Sequence, residues 1–438
     1  MPSRLRLLRC HLVAIAALCA LAVSPTAAAA QWRTEPVPGE WFVSPLSLDF
    51  DARGRALFSW EGINPTSPRK FTALAVRAPG GGWQRAANLA GITWGNAQIH
   101  LYGRDRALLV AGQVSSLGRF NRARWRLVQA YGRSNGSFGS LRTLAERVSL
   151  GTLVTAADAR GDALVAWQDE AGVTKLRERP AGGAFGPTRT LRPGGTGTAA
   201  MNLRGDRVLA WWSRGGVYAR VRHHGEPWGP ARLAAKAPNI TNAHVRAAIS
   251  AGGRVVLAWE SADIGEDRPI ILRAGVAQLV NGRWRAHALE RSTHATVGLP
   301  ETSLTQPVVD SANRVYVAWT GTAGGGLAVK LARVVAAGPR AAAILSAGVP
   351  GAALNDVAAG PHGALLAAWS VQRPASNVVY ASLRRGAAFT GAQQLTPDGA
   401  SGFGVARAAI APSTGEAVVT WSHSLPDGGH AEASVNAP

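Results

Sequence analysis

The chain has 438 residues, of which 17% are charged, with 51 glycines, 25 prolines and a formal net charge of +21. A mean hydropathy of +0.02 is too apolar for a disordered chain and too evenly mixed for a protein of many membrane spans. The length leaves room for two or three ordinary domains or for one large repeat architecture.

Arg4, Arg6 and Arg9 open the chain. An apolar run follows from Leu12 to Val23, and small residues from Thr26 to Ala30 close the segment. This is the pattern of a secretory signal peptide over residues 1–30, cut before Gln31. The competing reading is an N-terminal membrane anchor, for which the run is short. Both cysteines, Cys10 and Cys19, fall inside the segment, so residues 31–438 contain no thiol, disulfide or Cys-ligated metal. Loss of the three arginines takes the formal charge from +21 to +18. The expected location is extracellular, or periplasmic in a cell with an outer membrane.

Next in chain order comes a repeat. Asp51-Ala-Arg-Gly54 precedes Ala-Leu-Phe-Ser-Trp60, and Asp158-Ala-Arg-Gly161 precedes Ala-Leu-Val-Ala-Trp167. The unit recurs as Gly205 to Trp211, Gly253 to Trp259, Asn313 to Trp319, Gly363 to Trp369 and Gly415 to Trp421, with a gap of six each time. A degenerate copy at Asp105 puts Ala111 in the tryptophan place. A spacing of 44 to 60 residues between anchors marks a propeller or a solenoid. Each unit reads as two strands around a tight turn whose last residue takes positive φ, the region that Gly, Asn and Asp tolerate best.

A second hairpin follows in each unit. Phe71 to Ala78, a Gly-rich turn and Trp83 to Leu89 are the first example, and the turn-exit aromatic recurs as Phe138, Phe185, Trp228, Trp284 and Phe389. The sixth unit lacks it near Pro339. Four short strands per unit predict an all-β fold, an eight-bladed β-propeller of four-stranded antiparallel blades. The eighth unit ends after its third strand, and Gln31-Trp32-Arg33-Thr34 resembles a fourth-strand start, so the N-terminal strand is expected to complete the last blade. Residues 31–438 then form one domain, with blades at 38–90, 91–146, 147–192, 193–236, 237–291, 292–346, 347–396 and 397–438 plus 31–37.

In architecture and repeat pattern the sequence resembles the secreted bacterial β-propeller repeat proteins. It matches neither the Asp-box spacing of sialidase-like propellers nor the docking motif and vicinal disulfide of quinoprotein dehydrogenases. No residue role carries over from those families.

Functional candidates lie where the blade-to-blade and second-to-third connections surround the channel mouth. Trp41, Trp94 and Trp212 fall there outside the repeat positions, as ligand-stacking residues or as inter-blade packing. The segment after Trp259 carries Glu260, Asp263, Glu266 and Asp267 and is read as an acidic loop. It suits general acid–base work on glycosides or Ca²⁺ binding, although its spacing matches no metal loop, or else a solvated surface pairing with nearby arginines. His294 and Glu301 precede the sixth blade, and His423, Asp427 and His430 form a weaker group in the eighth. His223 and His224 are assigned to a third-to-fourth turn facing away from the mouth. No nucleophile elbow, phosphate loop or metalloprotease motif occurs. The sequence therefore reads as a monomeric secreted binding propeller without cofactor or metal. Its expected partners are acidic glycans or cell-wall polymers ahead of nucleic acid, and the alternative is an extracellular glycoside hydrolase or lyase. The arginine excess is either the basis of that affinity or a compositional bias.

Overall fold

The computed structural model describes residues 31–438 except 40–41, 65–66, 90–96, 118–122, 214, 237–241, 266–267, 295–304, 374–375, 397–404 and 424–428. The expected signal segment, residues 1–30, lies outside the described residues. Eight antiparallel sheets are present. In blade 3, Val148–Ala157, Ala163–Asp169, Thr174–Arg179 and Arg189–Leu191 lie side by side in chain order. The first strand of each blade rests against the first strands of both neighbours, and that of the eighth rests against that of the first. The sheets thus stand around a central channel as an eight-bladed β-propeller.

The core lies between blades. Each second strand is covered on both faces by neighbouring sheets, so it reads as a continuous apolar run, as in Ala163 to Trp167. The seven anchor tryptophans are 0–7% exposed, and Ala111, in the eighth anchor place, is fully buried. Trp167 packs in one cluster with Tyr102, Leu108 and Val110 of blade 2. Trp369 does the same with Tyr316 and Ala318 of blade 6.

The repeated aspartate has a local cause. Asp158 Oδ1 accepts from the backbone N–H groups of Arg160, Gly161 and Asp162, each at 3.0 Å. Asp51 Oδ1 accepts from Arg53 and Arg55 at 2.9 Å, and Asp310 Oδ1 from Ala312 at 3.0 Å and Arg314 at 2.9 Å. Asn202 plays the same part in blade 4. One side chain thereby satisfies the donors that the tight turn leaves unpaired. The turn closes at positive φ, +94° at Gly161 and +61° at Asn313. Blade 2 departs from the expected register, because there the positive-φ residue is Gly103, at +60°, and not Asp105. The chain turns two residues earlier, where a glycine is available.

Closure follows the expected route. Trp32–Val37 pairs antiparallel with His430–Asn436, from Trp32 opposite Asn436 to Val37 opposite Ala431. Arg77, at the end of the third strand of blade 1, donates to Glu35 of the closing strand at 3.0 Å and to Glu416 of blade 8.

The outer rim is uneven. The fourth strand is three residues long in blade 3 and two in blade 7, Gln393–Gln394. In blade 6 it is split into Gly338–Pro339 and Ala343–Ile344, where the sequence lacks the usual aromatic. Blade 5 has the longest outer strand of the described residues, Arg283–His294.

Candidate functional site

The repeat defines a ring of positions on the channel wall. On each first strand, one residue pairs with the residue immediately before the anchor. Blades 1 to 4 place Ser47, Gln98, Val154 and Thr198 there. Blades 5 to 8 place Arg246, Gln306, Asp356 and Arg407. One half of the wall is charged and the other is neutral.

The charged half forms one electrostatic group. Arg246 feels Arg407, Asp356 and Glu260, although these come from blades 8, 7 and 5. Arg246 is solvent-exposed yet densely surrounded, and desolvation followed by Arg407 lowers its pKa. Asp356 is bound by the backbone N–H groups of Val357 at 2.9 Å and Ala408 at 3.0 Å, so it pins blade 7 to blade 8. Burial raises its pKa against the opposing pull of Arg407 and these donors. Arg407 Nε reaches the carbonyl of Leu46 in blade 1 at 3.4 Å. Arg246 makes no hydrogen bond or ion pair with a described residue.

Glu260 sits one step toward the mouth, opposite His244. Burial pushes its pKa up to about 8, opposed by a hydrogen bond from Thr305 Oγ1 at 3.1 Å and by Arg246. His244 is pushed down by burial and by Arg246. Near neutral pH this part of the channel therefore holds arginine charge near Glu260, whose raised pKa favours its neutral form.

The acidic segment after Trp259 is not a loop throughout. Glu260 and Asp263 belong to the second strand of blade 5, Val255–Gly265, which pairs with Arg268–Val280 beyond the usual blade length. Branched and apolar residues opposite it, Ile271 and Leu272, carry the ladder on. Glu266 and Asp267 lie outside the described residues, as do Trp41, Trp94, Glu301 and Asp427. His294 and His423 are strand residues. His430 is half-buried and lies 3.5 Å from Glu432. His223 follows the third strand of blade 4, with Nδ1 3.4 Å from Asp206, so it stands on the turn face.

Trp212 occupies the position just after an anchor, the same place as Glu260 in the next blade. That position reaches across to the following blade. Trp212 leans on Trp259, with ring centroids 6.2 Å apart and planes at 58°, and stays half-exposed. Glu260 accepts from Thr305, and Thr320 Oγ1 accepts from the N–H of Leu354 at 3.0 Å. Sequence reasoning did not single out Arg246, Asp356 or Arg407. The signal was present in the repeat, since each lies at one fixed offset before the turn-closing residue, give or take one.

No protein-family model matches the sequence, and no curated protein matches it. Solved structures similar in fold include the polysaccharide lyase Uly1, at 9% identity, TM-score 0.48 and 92% of each chain. AofleA from Arthrobotrys oligospora has 10% identity and a TM-score of 0.41, over 84% of this chain and 90% of that one. The Hadza microbial sialidase Hz136 has 12% identity and a TM-score of 0.36, over 74% of each chain.

Proposed function

We propose that this propeller is a secreted, non-enzymatic binding protein for acidic glycans or cell-envelope polymers, taken up at the channel mouth. The reading is supported above all by exposed Arg246, which pairs with no described residue and lies within electrostatic reach of Arg407, while burial raises the pKa of Asp356 and Glu260. A net positive field in a confined channel attracts anions more strongly than the same charge on an open surface. Half-buried Trp212, packed against the core between blades 4 and 5, is the described member of the proposed stacking set, whose other members, Trp41 and Trp94, lie outside the described residues. An array of uronate, sulfated and neutral glycans tests it. The wild type is expected to retain acidic glycans, and the Arg246→Ala/Arg407→Ala variant to bind them about tenfold more weakly. Equal retention of neutral glycans, or an unaffected variant, sinks the site.

Glu260 favours one second reading, an extracellular glycoside hydrolase or lyase. A carboxyl group that keeps its proton near neutral pH is suited to general acid catalysis, and Arg246 beside it is suited to hold a substrate carboxylate. Glu260→Gln should abolish turnover of a glycan substrate if the protein is an enzyme and leave binding nearly intact if it is not.

A further inference from the structure

A groove of about 660 Å³ opens between blades 2 and 3 on the turn face, away from the channel mouth. Arg179 of blade 3 forms part of its wall. Its guanidinium carbon lies 5.0 Å from the Tyr102 ring centre and 4.8 Å from that of Tyr131. It donates to the Tyr102 hydroxyl at 3.1 Å and to the carbonyls of Gly161 at 2.7 Å and Gly183 at 2.9 Å. With both rings and all three nitrogens engaged, Arg179 is a fixed strut.

Two other arginines line the same groove without such an explanation. Arg106 begins the second strand of blade 2, and Arg133 ends the third, directly opposite it. Like charges in facing positions of adjacent strands repel each other, and nothing in the blade requires them. Asp105 lies 3.5 Å from Arg133, in an exposed pair of little energetic weight. Arg106 has no ion pair among the described residues.

Blade 4 shows what this chain does with such a pair. Arg207 begins its second strand and Arg222 ends its third, again in facing register. There the carboxylate of Glu178, reaching over from blade 3, accepts from both, Arg222 at 2.5 Å. A carboxylate bridging two facing arginines is therefore an arrangement this scaffold already builds. In blade 2, no neighbouring blade supplies it among the described residues.

We propose that the groove between blades 2 and 3 binds a hexuronate residue of an acidic glycan, with the sugar carboxylate bridging Arg106 and Arg133. A sugar is favoured over an acidic peptide because partly exposed Phe138 lines the groove and offers apolar surface to pyranose C–H groups. Space is available too, since a Cβ at Gly182 would meet nothing within 4 Å. The class of ligand rests on the glycan reading above, whereas the site is separate from the channel.

The test titrates the protein with tetragalacturonate, its methyl ester and a poly-glutamate peptide. The Arg106→Ala/Arg133→Ala variant is expected to bind tetragalacturonate at least about tenfold more weakly, with an unchanged or raised melting temperature. The methyl ester should bind weakly to the wild type. In wild-type protein, the Nε–H signals of Arg106 and Arg133 should shift on titration, a readout that does not depend on any variant folding. Unshifted signals, undiminished binding by the double variant, or equal affinity for poly-glutamate each overturn the groove. If Arg246→Ala/Arg407→Ala alone loses tetragalacturonate, the groove fails and the channel reading stands. If the wild type binds no acidic glycan, both fail.

Discussion

Arg77 Nε lies 3.0 Å from Glu35 Oε2, although the two residues belong to different blades and the arginine is 2% exposed. Glu35 is on the strand that closes the ring, so the pair locks the seam from the side of blade 1. The second partner of Arg77, Glu416, comes from the same blade-8 sheet as Glu35. Glu35→Ala leaves Arg77 with Glu416 as its remaining carboxylate, so the loss is that of a charge-assisted hydrogen bond, and the unfolding free energy is expected to fall by about 1.5–3 kcal/mol, measured in denaturant. Deleting 31–37 should cost more, because it also opens the sheet edge of blade 8.

Trp369→Ala should cost about 3–5 kcal/mol, the usual range for truncating a buried tryptophan. The residue is fully buried and stacks near Tyr380 at a centroid distance of 6.2 Å. A wild-type melting curve for this variant would contradict inter-blade packing as the source of stability.

Asp158→Ala removes the acceptor of three backbone donors in one turn and should cost about 1–3 kcal/mol. Asp158→Asn should cost far less, since Asn202 does the same work in blade 4. Equal losses for the two substitutions would mean that charge matters there, and not the hydrogen-bond geometry.

The turn motif and the anchors were legible in the sequence because they are local and repeated. A turn needs one acceptor and one positive-φ residue at fixed spacing, and a doubly covered strand needs an apolar run. Closure was legible because Trp32 resembles a fourth-strand start. The channel charges were not, because Arg246 and Arg407 are far apart in the chain and meet only once the ring is formed. Glu260 was read as a loop residue because its acidic neighbours mask the strand, whose partner residues Ile271 and Leu272 lie beyond the turn. Trp212 was read as outside the repeat because tryptophan occurs after an anchor in blade 4 alone. The structure shows that the place itself recurs.

Stability should fall with rising pH through Glu260. Its folded pKa, about 8, lies above the ordinary value of 4.5, so the unfolded chain ionises first. The destabilisation begins near the ordinary value, grows as pH rises and levels off above pH 8. Glu260→Gln should flatten this slope and raise stability at pH 9 by on the order of 2 kcal/mol, allowing for water in the channel. A melting profile of the variant that runs parallel to wild type from pH 5 to 9 would remove Glu260 as the cause.

Binding of polyanions should weaken steeply between low and physiological salt if the channel and groove arginines carry it. A salt-independent affinity would assign the arginine excess to composition.

The uneven rim bears on that excess as well. An outer strand offers unpaired backbone groups to any other sheet, and a ring of eight sheets multiplies the hazard. Blades 3 and 7 present too short a strand for a second molecule to extend, and blade 6 presents a broken one containing Pro339. Blade 5 presents twelve residues, but Arg283, Arg285 and Arg291 stand exposed along them. A second copy docking there edge to edge would bring its own arginines against these. Positive charge placed there disfavours edge-to-edge docking of identical molecules, an effect that needs no ligand.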